Sequence, residues 1–207
     1  MDNSLRKRRA RPKRVKPWCE IIAVGASAGG LQALAELLFG LSAEFAPVVI
    51  VQHLDPRHKS QMAQVLSRKS GKPVKEAEAG ERLQPGRAYI GPPDEHLLVS
   101  RGRFKLAHSR LIRFSRPSID IMFGSVAATY GENAIGVILS GSNRDGSDGI
   151  AAIRGAGGVT VAQDPATAEY RIMPQAAIDT GCIDMVVPIS QIGKAISTLV
   201  LEGRKSK

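Results

Sequence analysis

Cysteine is scarce in this chain of 207 residues: only Cys19 and Cys182 occur. That excludes a disulfide framework and points to a reducing compartment, so the expected location is the cytoplasm. Long apolar runs are also missing. Aliphatic stretches such as residues 48–51 fall far short of the roughly 20 residues a membrane-spanning helix needs. The N-terminus has no apolar core of the kind a secretory signal carries. No internal repeat organises the chain, and no linker divides it after residue 17. What is present is a hydrophobic content of 43%, which suits one globular domain with a real core.

Acidic residues are in deficit, 19 against 29 Lys and Arg, for a net charge of +10. The excess is local. Residues 1–17 hold Arg6, Lys7, Arg8, Arg9, Arg11, Lys13, Arg14 and Lys16 against Asp2, a net +7. Residues 202–207 carry +2, and residues 18–201 only +1. The expected organisation is therefore a basic disordered tail (1–17), a folded body (18–201) and a short basic C-terminal tail (202–207). The arm is read as solvated, with weak binding to nucleic acid or another acidic surface such as an anionic membrane as its sharper alternative. The body, at +1, gives no reason to expect nucleic acid as a partner.

Hydrophobic periodicity orders the body. A short apolar strand at 20–24 leads through a glycine-rich turn into a helix at 31–38. A second strand follows at 48–53, then a helix at 60–68. Short runs at 88–90, 96–99 and 104–106 read as a β insertion, with Arg101-Gly102 as its hairpin turn. Pro117 and Gly131 bracket a helix at 118–130. A strand at 134–139 ends in the polar loop 140–146. A helix at 150–156, a strand at 159–162, a short helix at 174–179, a strand at 185–187 and a helix at 189–201 complete the pattern. Strands alternating with helices predict an α/β fold: a doubly wound, mostly parallel sheet with helices on both faces and a small antiparallel hairpin insertion.

In such sheets, functional side chains gather where strands end at their carboxyl edge. Three groups fall there: Ser27 after the first strand, His53 at the end of the second, and Asp145 after the strand at 134–139. A hydroxyl, an imidazole and a carboxylate are the set that activates a serine nucleophile. Residues 25–29 fit G-x-S-x-G, a tight turn that exposes Oγ, and backbone N–H groups at Ala28 and Gly29 are candidate oxyanion donors. Each residue has a plainer alternative. Ser27 or Asp145 would cap the helix that follows it, and a lone histidine is commonly structural.

Other chemistries lack their signatures. A dinucleotide site needs an acid where Gln52-His53 ends the second strand, although Asp55 is near. A phosphate-binding loop needs Gly-Lys-Ser/Thr after the turn. Asp145 and Asp148 leave the remaining positions of a calcium loop unfilled, and no cluster has metal-ligand spacing, so no metal or cofactor is expected. His58, His96 and His108 read as surface residues.

With those residues in hand, the chain resembles the catalytic domain of the chemotaxis protein-glutamate methylesterases (CheB-type). The matching stretches are residues 24–30, 51–53, 88–97, 116–120, 145–146 and 173–178. The resemblance implies hydrolysis of glutamate methyl esters on methyl-accepting chemoreceptor-like proteins, with glutamine deamidation as a second activity and no cofactor. It implies Ser27 as nucleophile, His53 as general base and then acid, and Asp145 as the orienting carboxylate. It places Ser142 and Asn143 beside the oxyanion, where the family commonly has methionine and glycine, and Ala28 where it often has threonine. A non-catalytic signalling module with the same fold is the alternative. The family's usual N-terminal receiver domain has no counterpart in residues 1–17, so a stand-alone esterase domain is expected.

Overall fold

The computed structural model describes residues 18–54 and 60–202; the N-terminal tail, residues 203–207 of the C-terminal tail, Asp55 and His58 lie outside them. In chain order the elements are β1 (Ile21–Ala26), α1 (Gly30–Gly40), β2 (Val48–Gln52), α2 (Met62–Ser70), β3 (Val74–Glu76), β4 (Ala88–Ile90), β5 (His96–Ser100), β6 (Arg103–Ala107), α3 (Ile119–Tyr130), β7 (Ala134–Ile138), α4 (Ser147–Gly155), β8 (Val159–Gln163), α5 (Ile172–Ile178), β9 (Met185–Val187) and α6 (Ile189–Glu202).

Seven strands form one sheet in the order β3-β4-β2-β1-β7-β8-β9, and every neighbouring pair is parallel. The chain enters at the centre with β1. It passes to β2, then to the edge strand β3 and back to β4 between them, and crosses to the other side of β1 for β7, β8 and β9. Alternate side chains of each central strand enter opposite cores, as a period of two requires. Ile22, Val24, Val48 and Ile50 pack with Leu34, Leu37 and Leu38 of α1 and Ile192 and Ile196 of α6. Ile21, Ala23, Val49 and Val51 pack with Met122 and Phe123 of α3 and Ile150 and Ile153 of α4. Each such buried Ile, Val, Leu or Phe side chain contributes about 1.5–3 kcal/mol. Burial on both faces explains why the strands read as continuous apolar runs.

The doubly wound expectation holds, and the sheet is wholly rather than mostly parallel. Among the strands named above, antiparallel pairing occurs in the β5–β6 hairpin, and isolated antiparallel bridges join Arg82 to Arg103 and Ile112 to Ser115. The hairpin's turn residues Arg101 and Gly102 have φ of 50° and 72°, the left-handed pair of a type I′ turn. The hairpin docks on α3 through hydroxyls. Val99 N–H donates to Ser125 Oγ at 2.9 Å, and Thr129 Oγ1 donates to Val99 O at 3.0 Å.

Three expectations need correction. β3 is an additional edge strand of three partly exposed residues, too short to show alternation. α4 begins at Ser147 and α5 at Ile172, earlier than expected: the first turn of α4 carries polar or small residues, and in α5 Pro174, of a type favoured at the first helical position, sits two positions inside the helix. His96, read as a surface residue, is fully buried at the start of β5. His108 is exposed, as expected.

Candidate active site

The carboxyl ends of β1, β2 and β7 lie side by side because these strands are neighbours in the sheet. Each delivers one candidate. Ser27 follows β1 directly, His53 follows β2, and Asp145 sits in the loop between β7 and α4. His53 Nδ1 lies 3.1 Å from Ser27 Oγ, and His53 Nε2 lies 2.8 Å from Asp145 Oδ2. Both distances are within hydrogen-bonding reach. The Asp145 carboxylate assigns the tautomer: Nε2 carries the proton, and Nδ1 faces Ser27 as an acceptor.

Neither capping alternative is realised. α1 starts behind Gly29 and α4 behind Gly146, both without a side-chain cap. Gly29 is in the left-handed region at φ 72°, and a Cβ there would meet Ser140 Oγ at 2.7 Å and Glu169 Cβ at 2.9 Å. Only glycine closes this turn without strain.

Asp145 is fully buried, and it caps a different helix, α3. Its Oδ1 accepts from Ser118 Oγ at 2.9 Å and Asp120 N–H at 3.1 Å, and its Oδ2 accepts from Ile119 N–H at 2.7 Å. The partial positive charge of a helix N-terminus adds to these bonds. Burial pushes the carboxyl pKa up, but the bonds from His53, Ile119 and Asp120 outweigh it and hold the pKa below the ordinary carboxylate range. Next to it, burial and the charge of Asp145 push Asp120 up, against a lowering bond from Gly149 N–H.

Several supporting residues escaped the sequence reading. Gln52 Nε2 donates to Ser27 O at 2.7 Å and to His53 O at 3.0 Å, tying Ser27 and His53 together through their backbones. A Cβ at Gly30 would collide with Gln52 Oε1. The only hint in sequence was a polar residue ending a buried strand. Ser140 Oγ donates to Ala28 O at 2.8 Å and accepts from Tyr170 N–H at 2.9 Å, riveting the serine turn to the segment before α5. His96 Nδ1 accepts from Ser118 N–H at 3.1 Å and Nε2 donates to Arg110 O at 3.0 Å. His96 therefore supports the α3 cap that holds Asp145, a role that only the tertiary arrangement reveals.

Of the candidate oxyanion residues, Ala28 and Gly29 flank Ser27 at the start of α1, and Ser142 is exposed on the β7–α4 loop. Asn143 comes closer to the catalytic line than expected: its Nδ2 lies 3.1 Å from His53 Nδ1, while its Oδ1 accepts from Asp145 N–H at 3.0 Å. A shallow cleft of about 320 Å³ opens beside Ser27, which lines it together with Gly29, Gln32, Gln52, Met62 and Glu169 among others. Among the described residues no group of three or more His, Cys, Asp or Glu is arranged to hold a metal ion. None of the helices there is long and apolar enough to cross a membrane.

Comparison with known proteins agrees with this arrangement. The family model described as CheB methylesterase matches residues 22–196. A Leptospira interrogans relative is 38% identical over 177 residues, which are 84% of this chain and 92% of that protein. A Pseudomonas aeruginosa protein-glutamate methylesterase/protein-glutamine glutaminase is 40% identical over 86% of this chain, which spans 52% of it. The Thermotoga maritima CheB methylesterase catalytic domain superposes with a TM-score of 0.84 at 35% identity, covering 88% of this chain and 99% of that one. Matched in sequence across nearly the whole described domain and in the course of its backbone, this chain belongs to the CheB methylesterase family.

Proposed function

We propose that this protein is a serine esterase that hydrolyses glutamate γ-methyl esters on chemoreceptor-like proteins, and that it deamidates glutamine side chains by the same route. The observation that carries the reading is the continuous line from Ser27 Oγ through the His53 ring to Asp145 at three adjacent strand ends. A binding module that kept only the fold would have no need of a serine 3.1 Å from an imidazole acceptor. The names of the relatives support the same reading.

In the proposed reaction, Ser27 Oγ attacks the ester carbonyl while His53 Nδ1 takes its proton. Asp145 keeps the ring oriented and balances the imidazolium charge. Backbone N–H groups of Ala28 and Gly29, at the N-terminus of α1, are assigned to the oxyanion, with the Ser142-Asn143 loop bordering it. Collapse of the tetrahedral adduct breaks the C–OMe bond, and the Nδ1 proton passes to methoxide, releasing methanol. Water, deprotonated by Nδ1, then cleaves the acyl-serine ester, leaving glutamate and restoring Ser27. With glutamine as substrate the group that departs is ammonia. Every proton transfer runs through His53. The cytoplasm is the proposed site of action, in keeping with the two free cysteines.

Methanol release from a methylated receptor tests the proposal. Ser27→Ala is expected to lower turnover by up to about 10⁶-fold if the three residues act as a unit. Equal rates for the two proteins would sink the mechanism.

A further inference from the structure

We propose that Asn143 is a positioning residue that restrains the nucleophile by sharing the base's single acceptor site. The inference rests on the esterase reading and deepens it. An imidazole Nδ1 has one in-plane lone pair. Here two donors lie equally close to it, Ser27 Oγ and Asn143 Nδ2, each at 3.1 Å. The opposite ring nitrogen is committed to Asp145 at 2.8 Å.

The orientation of the Asn143 amide follows from its second contact. Asp145 N–H, which can only donate, lies 3.0 Å from Asn143 Oδ1. Flipping the amide would set NH₂ against that N–H and the carbonyl oxygen against the Nδ1 lone pair. Both contacts would be repulsive, so the NH₂ faces His53.

The consequence appears when Ser27 reacts. His53 Nδ1 must receive the serine proton, and it then becomes a donor facing the NH₂ of Asn143. The Asn143–His53 bond must break before or as the proton arrives. A net neutral hydrogen bond corresponds to a factor of roughly 2 to 12 in an equilibrium. The restraint should therefore slow attack by Ser27 by about 3- to 10-fold. A glycine in place of Asn143 would carry no such donor.

Two variants separate this role from loop support. Asn143→Ala removes both contacts. Asn143→Ser keeps a short acceptor able to bond Asp145 N–H two residues on, as serine does in local turns, while its hydroxyl, one bond shorter than the amide, stops short of His53. The first readout is the rate at which phenylmethylsulfonyl fluoride sulfonylates Ser27, where the Oγ–S bond forms, fluoride leaves and the serine proton passes to Nδ1. The second is the ¹⁵N resonance of His53 Nδ1, recorded in a Ser27→Ala background with and without Asn143→Ser.

Both variants should react about 3- to 10-fold faster than the parent, and loss of the Asn143 donor should move the Nδ1 resonance downfield. An unmoved resonance, or labelling that is unchanged or slower in Asn143→Ser, overturns the inference. A nucleophile other than Ser27 would reveal itself separately: no form would be labelled at Ser27, yet the resonance would still move, supporting the shared nitrogen while ending the esterase reading.

Discussion

A carboxylate that accepts four hydrogen bonds resists protonation. Asp145 is that residue, with His53, Ser118, Ile119 and Asp120 as donors. Asp145→Asn should reduce turnover by about 10³–10⁴-fold, because an amide no longer favours the Nε2–H tautomer of His53. Stability should respond to pH as well. The folded pKa of Asp145 lies below its unfolded value of about 3.9. Its stabilising contribution is therefore complete above that value and is lost as pH falls through the lower folded one. Asp120 runs the other way: its raised pKa makes burial of its charge costlier as pH rises past the ordinary carboxylate value. In urea titrations, the stability gap between wild type and Asp145→Asn should shrink from pH 7 to pH 3. A gap that stays constant would contradict the assignment.

Two glycines separate catalysis from packing at the scale of elements. Gly29 joins β1 to α1 with φ 72°. Gly29→Ala should cost about 1–3 kcal/mol of strain and displace Ser27, so activity and stability fall together. Gly193 lies in α6 against α1, where a Cβ would strike Leu37 O and come within 2.7 Å of Gly40 Cα. Gly193→Ala should cost about 1–3 kcal/mol through overpacking with kcat nearly unchanged in the folded protein. Thermal melts and methanol release on the same samples check both. Elements of this kind were largely legible in sequence, because fully buried parallel strands and amphipathic helices announce themselves by composition and period. β3 was not, since three half-exposed residues carry no pattern. The start of α4 was misplaced because its first turn is polar or small, and that of α5 because Pro174 reads as a first helical residue.

Over the whole molecule, Ser27, His53 and Asp145 were readable because strand ends are predictable from strands. The supporting roles of Gln52 and His96, and the contact of Asn143 with His53, were not, because they depend on partners 14 to 90 residues distant or on the direction of one amide, which no local pattern encodes. Asn143 shows this well, since its partner His53 is 90 positions away. The core offers a separate test of global integrity. Cys19 is buried, and burial pushes its thiol up to about 12, whereas Cys182 is half-buried. A disulfide reagent should modify one thiol of the native protein quickly and Cys19 only as the domain unfolds. Two fast thiols would mean the β1 end of the core is loose. Finally, the strand order has a consequence for biosynthesis. Ser27 and His53 belong to the first two strands, but Asp145 arrives 92 residues after His53, on the far side of β1. On the proposed mechanism, a nascent chain leaving the ribosome carries its nucleophile and base long before their anchor, and its full hydrolytic rate is expected only once the second half of the sheet has been translated and seated.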